Sequence, residues 1–363
     1  MRKLHLGVLT VLALFFVACS SDDNTTDSYI PMGEYSNGIF IVNEGNFGAG
    51  NSEISFIDSD LSGVSSGIFG INNAGESLGD VAQSMTFYED LAFIVVNNSD
   101  KVVVVDRHTF KKIAIIDEGL SLPRYMAVAN HKGYITNWGE SDNAFISVVD
   151  LDSFEVIKTI DIDFGAEKIV AHADLLYVAH QGGFGQNNKL SVISAGSDSV
   201  YDVIEVGDSP NSLQIVNNDL WVLSSGNPSW AAEGETEGSL LQLDLGSLEV
   251  KKYFSFTSDL SPNLLEYDQG NLYYTLSMTD WDTYETESHI YELSPEDVEL
   301  PIESIFSTDR SFYGATIKNG LYYGGDAKDY ASNGSVVVYD LSSGDEVYEF
   351  VVGISPNGFY FTE

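Results

Sequence analysis

Aromatic rings flanked by glycine, asparagine and aspartate are poor core formers, yet Phe47, Trp138, Phe184, Trp230, Trp281, Tyr284 and Tyr330 all occur in such company. Rigid aromatic faces in polar loops supply contact area for flat or amphipathic ligands, or for a protein partner. Asn43 and Glu44 stand beside the first ring and add hydrogen-bonding groups, while Arg124 offers charge to a phosphate-bearing ligand. The competing explanation for each ring is local packing of a long loop. A second polar set comprises Gln83, Glu167, Asn211, Asn263, Tyr313 and Asn357. Asparagine recurs after Ser-Pro at 211, 263 and 357, so part of this set is explained by turn chemistry alone. The functional explanation is a group of donors and acceptors converging on one opening. Glu167 with several asparagine oxygens would also suit Ca²⁺, a hard ion that takes oxygen ligands.

Catalytic signals are thin, and the expectation is a protein that is not an enzyme. His108, His131 and His172 belong to short turns or their edges, and His289 opens an apolar run. His180 alone begins a long loop, without a second His or Cys at metal-ligand spacing. Acidic pairs such as Asp280 and Asp282 are unavoidable in a chain with 55 carboxylates and read as solvated loop.

The elements that must position these residues repeat. Apolar runs GIFIVN (38–43), LAFIVVN (91–97), GYITN (133–137), LLYVAH (175–180), LWVLSS (220–225), NLYYTL (271–276) and LYYGG (321–325) start about 42 to 53 residues apart. Each is followed, after a loop, by a partner such as EISFID, KVVVVD, FISVVD or SVVVYD. Without a sustained helical period, that spacing predicts an all-β, seven-bladed β-propeller with four antiparallel strands, A to D, per blade. Innermost strands often open on proline, as in PRYMAVA (123–129), PNSLQIV (210–216), PNLLEY (262–267) and PNGFYF (356–361), where the missing N–H does no harm. The repeat begins on a B strand and ends on an A strand, so the C-terminal strand is expected to complete the first blade. Alternation of direction then sorts the loops. A–B and C–D turns are terse, whereas the B–C connections (43–51, 137–144, 180–188, 224–238, 277–288 and 324–334) are long and share the other face. Function is expected on that elaborated face.

Arg2 and Lys3 precede an apolar stretch too short to span a bilayer, which ends at Cys19, the sole cysteine. The expectation is a signal peptide over 1–18, a lipidated Cys19 opening a flexible tether over 19–36, and the propeller over 37–363. With 16 basic against 55 acidic residues the formal charge is −39, which repels nucleic-acid phosphates and anionic lipid. Membrane attachment by the lipid anchor alone is therefore expected, with nucleic acid excluded as a partner.

GYITN followed by FISVVD, with FIVVN, LYVAH and the Ser-Pro-Asn turns, resembles the YVTN-type propeller repeat across all seven units. GIFIVNEGNFGAGNSEISFID (38–58), together with Cys19 and the acids that follow it, is similar to surface propeller lipoproteins of Bacteroidetes. The resemblance implies an outer-membrane, cell-surface protein that captures a small ligand, a corrinoid such as cobalamin foremost, for a TonB-dependent transporter. A periplasm-facing anchor is the alternative location. Two other functions are weighed against capture. One is a Ca²⁺-dependent lactonase-like hydrolase on Glu167 and the channel asparagines; the other is a protein-interaction or adhesin scaffold using the acidic face.

Overall fold

The computed structural model describes residues 33–141, 143–183, 185–257, 260–280 and 285–362. Near-continuous apolar strands joined by polar turns can bury both faces only by stacking sheet on sheet. They do so as seven four-stranded antiparallel sheets, in which chain order matches spatial order from the second blade onward. The first blade is completed by Pro356–Phe361, which pairs with Gly38–Asn43 in the register Ile39 to Phe361 through Val42 to Gly358. The ring is thus shut by strand pairing, as the offset between the first and last repeats requires.

B and C strands carry the core. Val102, Val103, Val104 and Val105 are buried, and so are Val336, Val337 and Val338. The apolar clusters run between blades rather than within them. Ile39, Ile41 and Ile57 of the first blade pack with Tyr323, Val336 and Val338 of the last, so the closing seam resembles every other seam. Outermost strands are more exposed and less uniform. In the first and sixth blades they shrink to Val64–Ser65 and Phe306–Thr308. The helix Ile68–Asn72 follows the former and buries Ile68 and Phe69.

Two boundaries differ from the sequence expectation. The packed ring starts before residue 37: the Tyr35 N–H donates to the His108 carbonyl at 3.0 Å, and its ring meets Phe56 edge-on at 5.3 Å. Gly33 is required there, since a Cβ would lie 2.3 Å from the His108 oxygen. The tether expected over 19–36 therefore loses its last residues to the core. The second difference is the segment 277–288. Instead of an irregular loop, most of it prolongs a hairpin, with Asn271–Asp280 and Glu285–Leu293 in register from Leu272–Leu293 to Asp280–Glu285. Alternating β-formers such as Thr279 and Thr286 favour that extension. Cys19, Phe184, Trp281 and Tyr284 lie outside the described residues, as does the predicted signal segment 1–18.

Candidate functional site at the channel mouth

Every innermost strand opens with a break in register against its B strand. Gln83 is the extra residue between Ala82 and Ser84. Arg124–Tyr125 and Glu167–Lys168 bulge against the third and fourth blades. Asn211, Tyr313 and Asn357 do so in the fifth, seventh and first. In the sixth the break falls one place later, at Leu264 and Leu265, and Asn263 stays paired with Thr275. Bulges bend a strand and re-aim a side chain, and here the repetition turns one or two residues per blade toward the axis. A left-handed residue precedes five of the seven strands: Val81 (φ 58°), Leu122 (48°), Gly165 (77°), Ser209 (53°) and Ser355 (54°).

The bulged side chains line a cavity of about 690 Å³ at the mouth, with Glu44, Phe47 and Trp138 among its walls. A neighbouring cavity of about 450 Å³ shares Arg124, Trp138 and Glu167 and reaches Trp230. At the junction, the Arg124 guanidinium lies 3.9 Å from the centre of the Trp138 ring. Its Nε and Nη2 donate to Glu167 at 3.0 and 2.8 Å, and Trp138 Nε1 donates to the same carboxylate at 2.9 Å. Burial alone would lower the Arg124 pKa, but the adjacent carboxylate outweighs it and the net shift is upward. This bears on two expectations. The Arg124 charge is already met by Glu167, and a Ca²⁺ ion on Glu167 would have to displace a guanidinium. Among the described residues no group of three or more His, Cys, Asp or Glu forms a metal nest.

On the opposite side of the mouth, Glu44 accepts from Tyr313 Oη at 2.8 Å and Asn357 Nδ2 at 2.7 Å. Burial pushes its carboxyl above the ordinary range, and the two hydrogen bonds draw it partly back. Tyr313 meets Tyr330 edge-on at 5.5 Å, and Asn46 Nδ2 donates to the Tyr330 carbonyl at 2.7 Å, tying two loops together. Phe47 and Trp230 keep 82% and 78% of their surface exposed, unlike rings that pack a loop onto its own blade.

Asn43 does not belong to this site. It is fully buried, and its amide donates to the Ile41 carbonyl at 3.2 Å and Ser55 Oγ at 3.1 Å. Asn137 repeats the arrangement with Ile135 and Ser147, so an asparagine closing a B strand is a blade-internal brace. Asn211 and Asn357 combine both explanations offered for their set. Asn211 Nδ2 reaches the Pro262 carbonyl of the next blade at 2.9 Å, and Asn357 Nδ2 reaches the Gln83 carbonyl at 3.0 Å, while both line the cavity. Gln83 donates to Tyr125 Oη at 3.2 Å. His180 is a core residue: its ring nitrogens meet the Phe164 carbonyl at 3.1 Å and Ser191 Oγ at 2.8 Å, and burial lowers its pKa.

Sequence reading missed the channel below the mouth, where Tyr125, Lys168 and Glu266 join the same cavity. Lys168 Nζ lies 4.1 Å from the centre of the Tyr125 ring. Burial pushes the Glu266 carboxyl up to about 8 even though Lys168 and the Thr316 hydroxyl, 3.3 Å away, pull it down. The available signal was position: Lys168 directly follows Glu167 in an inner strand, and Glu266 follows Asn263 by three. A Gly-x-Ser-x-Gly run at 63–67, also missed, spells a hydrolase elbow. Its Ser65 lies on the outermost strand, at the sheet edge farthest from the channel.

Fold and mouth together define a propeller with a ligand-sized axial opening. Residues 37–362 match the family described as "Domain of unknown function (DUF5074)", and the chain belongs to that family. No curated protein matches it in sequence. Among solved structures, a quinonprotein alcohol dehydrogenase-like protein from Bacteroides thetaiotaomicron is similar at 13% identity and TM-score 0.61, over 91% of this chain and 79% of that one. Hydrazine synthase of Kuenenia stuttgartiensis is similar at 18% identity and TM-score 0.58, over 76% and 88%. BamB from Moraxella catarrhalis follows at 12% identity and TM-score 0.50, over 88% and 84%. At these identities the likeness concerns the fold.

Proposed function

We propose that this chain is a surface-anchored capture protein whose propeller mouth binds a small amphipathic ligand, a corrinoid foremost, for a TonB-dependent transporter. The observation that carries the reading is the pair of neighbouring cavities, about 690 and 450 Å³, which share Trp138, Arg124 and Glu167 as walls. Ligand pockets of a few hundred Å³ with aromatic walls and a few fixed polar groups are the usual form of small-molecule sites. Trp138 is held by Arg124 and Glu167, so its face is preset before a ligand arrives, which lowers the ordering cost of binding. Anchoring is supported by the placement of Cys19 after a short apolar leader, and surface location by the Ser-Ser-Asp-Asp-Asn run that follows it. This reading assigns the site no catalysis.

Calorimetry of the purified propeller against cobalamin, haem and a ferric siderophore tests it. Saturable binding of one of them at micromolar Kd or tighter, weakened at least tenfold by Trp138→Ala, supports capture. Failure of all three to bind removes the small-ligand reading. The exposed Phe47 and Trp230 rings favour a second role in docking a partner protein. Salt-sensitive pull-down of a partner, without small-molecule binding, would shift the assignment to a scaffold.

A further inference from the structure

We infer that the axial channel beneath the mouth seats an oxyanion, a sulfate, phosphate or carboxylate group, on the ammonium of Lys168. In a chain with 16 cations and 55 acids, positive charge normally finds a carboxylate. Lys132 pairs with Asp198, Lys189 with Asp163, and Lys251 with both Asp219 and Asp244. Lys168 lines the channel wall and is only part-exposed, yet among the described residues no carboxylate stands at ion-pair distance from it. The Tyr125 ring, 4.1 Å away, covers one side of the ammonium. An ammonium has three donors; Tyr125 hydrogen-bonds one, the tyrosines around it hold Lys168 charged against the cost of desolvation, and the part-exposed head leaves the other donors to the cavity. The cavity that opens to the mouth gives a counter-ion its path.

The groups facing Lys168 are disposed for this. Glu167, next in its own strand, is neutralised by Arg124. Glu266, across the channel, keeps its proton at neutral pH because burial pushes its carboxyl up to about 8, so it offers a hydrogen rather than a repelling charge. Tyr360 is pushed up to about 12 by burial, and Tyr125 also faces the ammonium. Glu44, nearer the rim, is raised likewise. The long-range field of a −39 protein opposes an incoming anion, which sets a weak, millimolar affinity for a free ion. An acid group delivered on a larger molecule held at the mouth escapes much of that penalty through high effective concentration.

Titration with sodium sulfate, whose charge is constant from pH 6 to 9, reads the site by calorimetry at fixed ionic strength in chloride. Benzenesulfonate in a parallel arm distinguishes a free ion from the acid arm of an aromatic ligand. Equal affinities assign a free ion, and tenfold tighter benzenesulfonate assigns an acid arm. Either result supports the seat provided Lys168→Met weakens binding at least tenfold, Lys168→Arg restores it, and Lys111→Met leaves it unchanged. Wild-type affinity should fall by pH 9 as Glu266 ionises, and Glu266→Gln should abolish that fall. If Lys168→Met does not fold, the pH contrast between wild type and Glu266→Gln decides. No sulfate or sulfonate binding by the wild type, or unchanged affinity in a folded Lys168→Met, overturns the proposal. Cobalamin binding is read separately, so failure here leaves the capture reading standing.

Discussion

Glu266 shows what one carboxyl desolvated inside the channel does to a propeller. Its proton is retained up to about pH 8, whereas in an unfolded chain it would leave near the ordinary carboxylate value of 4.5. The raised group therefore contributes its full stability below 4.5 and loses it as pH climbs toward 8, because only the unfolded state gains from ionising. Denaturant unfolding of the wild type should weaken between pH 5 and 9 by on the order of a few kcal/mol from this residue. Glu266→Gln should lack that slope; an equal slope in the variant would show that the carboxyl ionises freely in the fold. Depressed carboxylates do not confuse the window. Asp150, held low by donors from Ser153, and Asp340, held low by Ser342, act only when pH falls below about 4. Arg124 teaches a related lesson at the same scale: a cation in a site is available to a ligand only if no neighbour has already claimed it.

At the scale of elements, the site is a product of bulges and of the ties that fix them. Side chains of one inner strand donate to carbonyls of the next: Ser84 to Arg124 at 2.7 Å, Thr86 to Met126 at 2.7 Å, and Gln214 to Leu265 at 3.0 Å. Thr136 is the central case. Its buried hydroxyl accepts from the Tyr125 N–H at 3.0 Å and donates to the Glu167 carbonyl at 2.8 Å, linking the two bulges that carry Arg124 and Lys168. Thr136→Val keeps the shape and deletes both bonds, stranding two buried backbone groups at a cost of about 1–3 kcal/mol. Urea melts should show that loss, with Thr136→Ser losing less. The variant should also quench Trp138 fluorescence differently, since the Glu167 carboxylate that holds the indole would shift. An unchanged midpoint would mean the bulges are set by the turns alone.

Across the whole molecule, strands, blade count and loop parity were legible because the middle strands of every blade are buried on both faces, which writes them as apolar runs. Side-chain direction was not. A bulge flips the inward residue without changing composition, so Asn43 and Asn357 look alike in sequence while one braces its own blade and the other faces the channel. Lys168 and Glu266 were hidden for the same reason, and 277–280 with 285–288 looked like a loop because polar residues dominate that extension of the hairpin. Closure, by contrast, follows from counting, and it makes the strongest demand on the fold. Without residues 356–363 the strand Gly38–Asn43 is left with an open inner edge, and Tyr323 loses its contact with Phe361 at 5.5 Å. Open edges template aggregation, so the truncation should lose its cooperative melt and aggregate. The ends of the seam lie together, with Thr362 N–H donating to the Gly38 carbonyl at 3.1 Å. A permutant carrying 356–362 ahead of Gly38 through a short turn would therefore rebuild the first blade as an A–B hairpin like the others. It should melt cooperatively, below the parent by no more than the loss of the Tyr35 packing costs. A truncated ring that melts like the parent, or a permutant that fails to fold while the parent does, would show that the seam is held by something other than this strand.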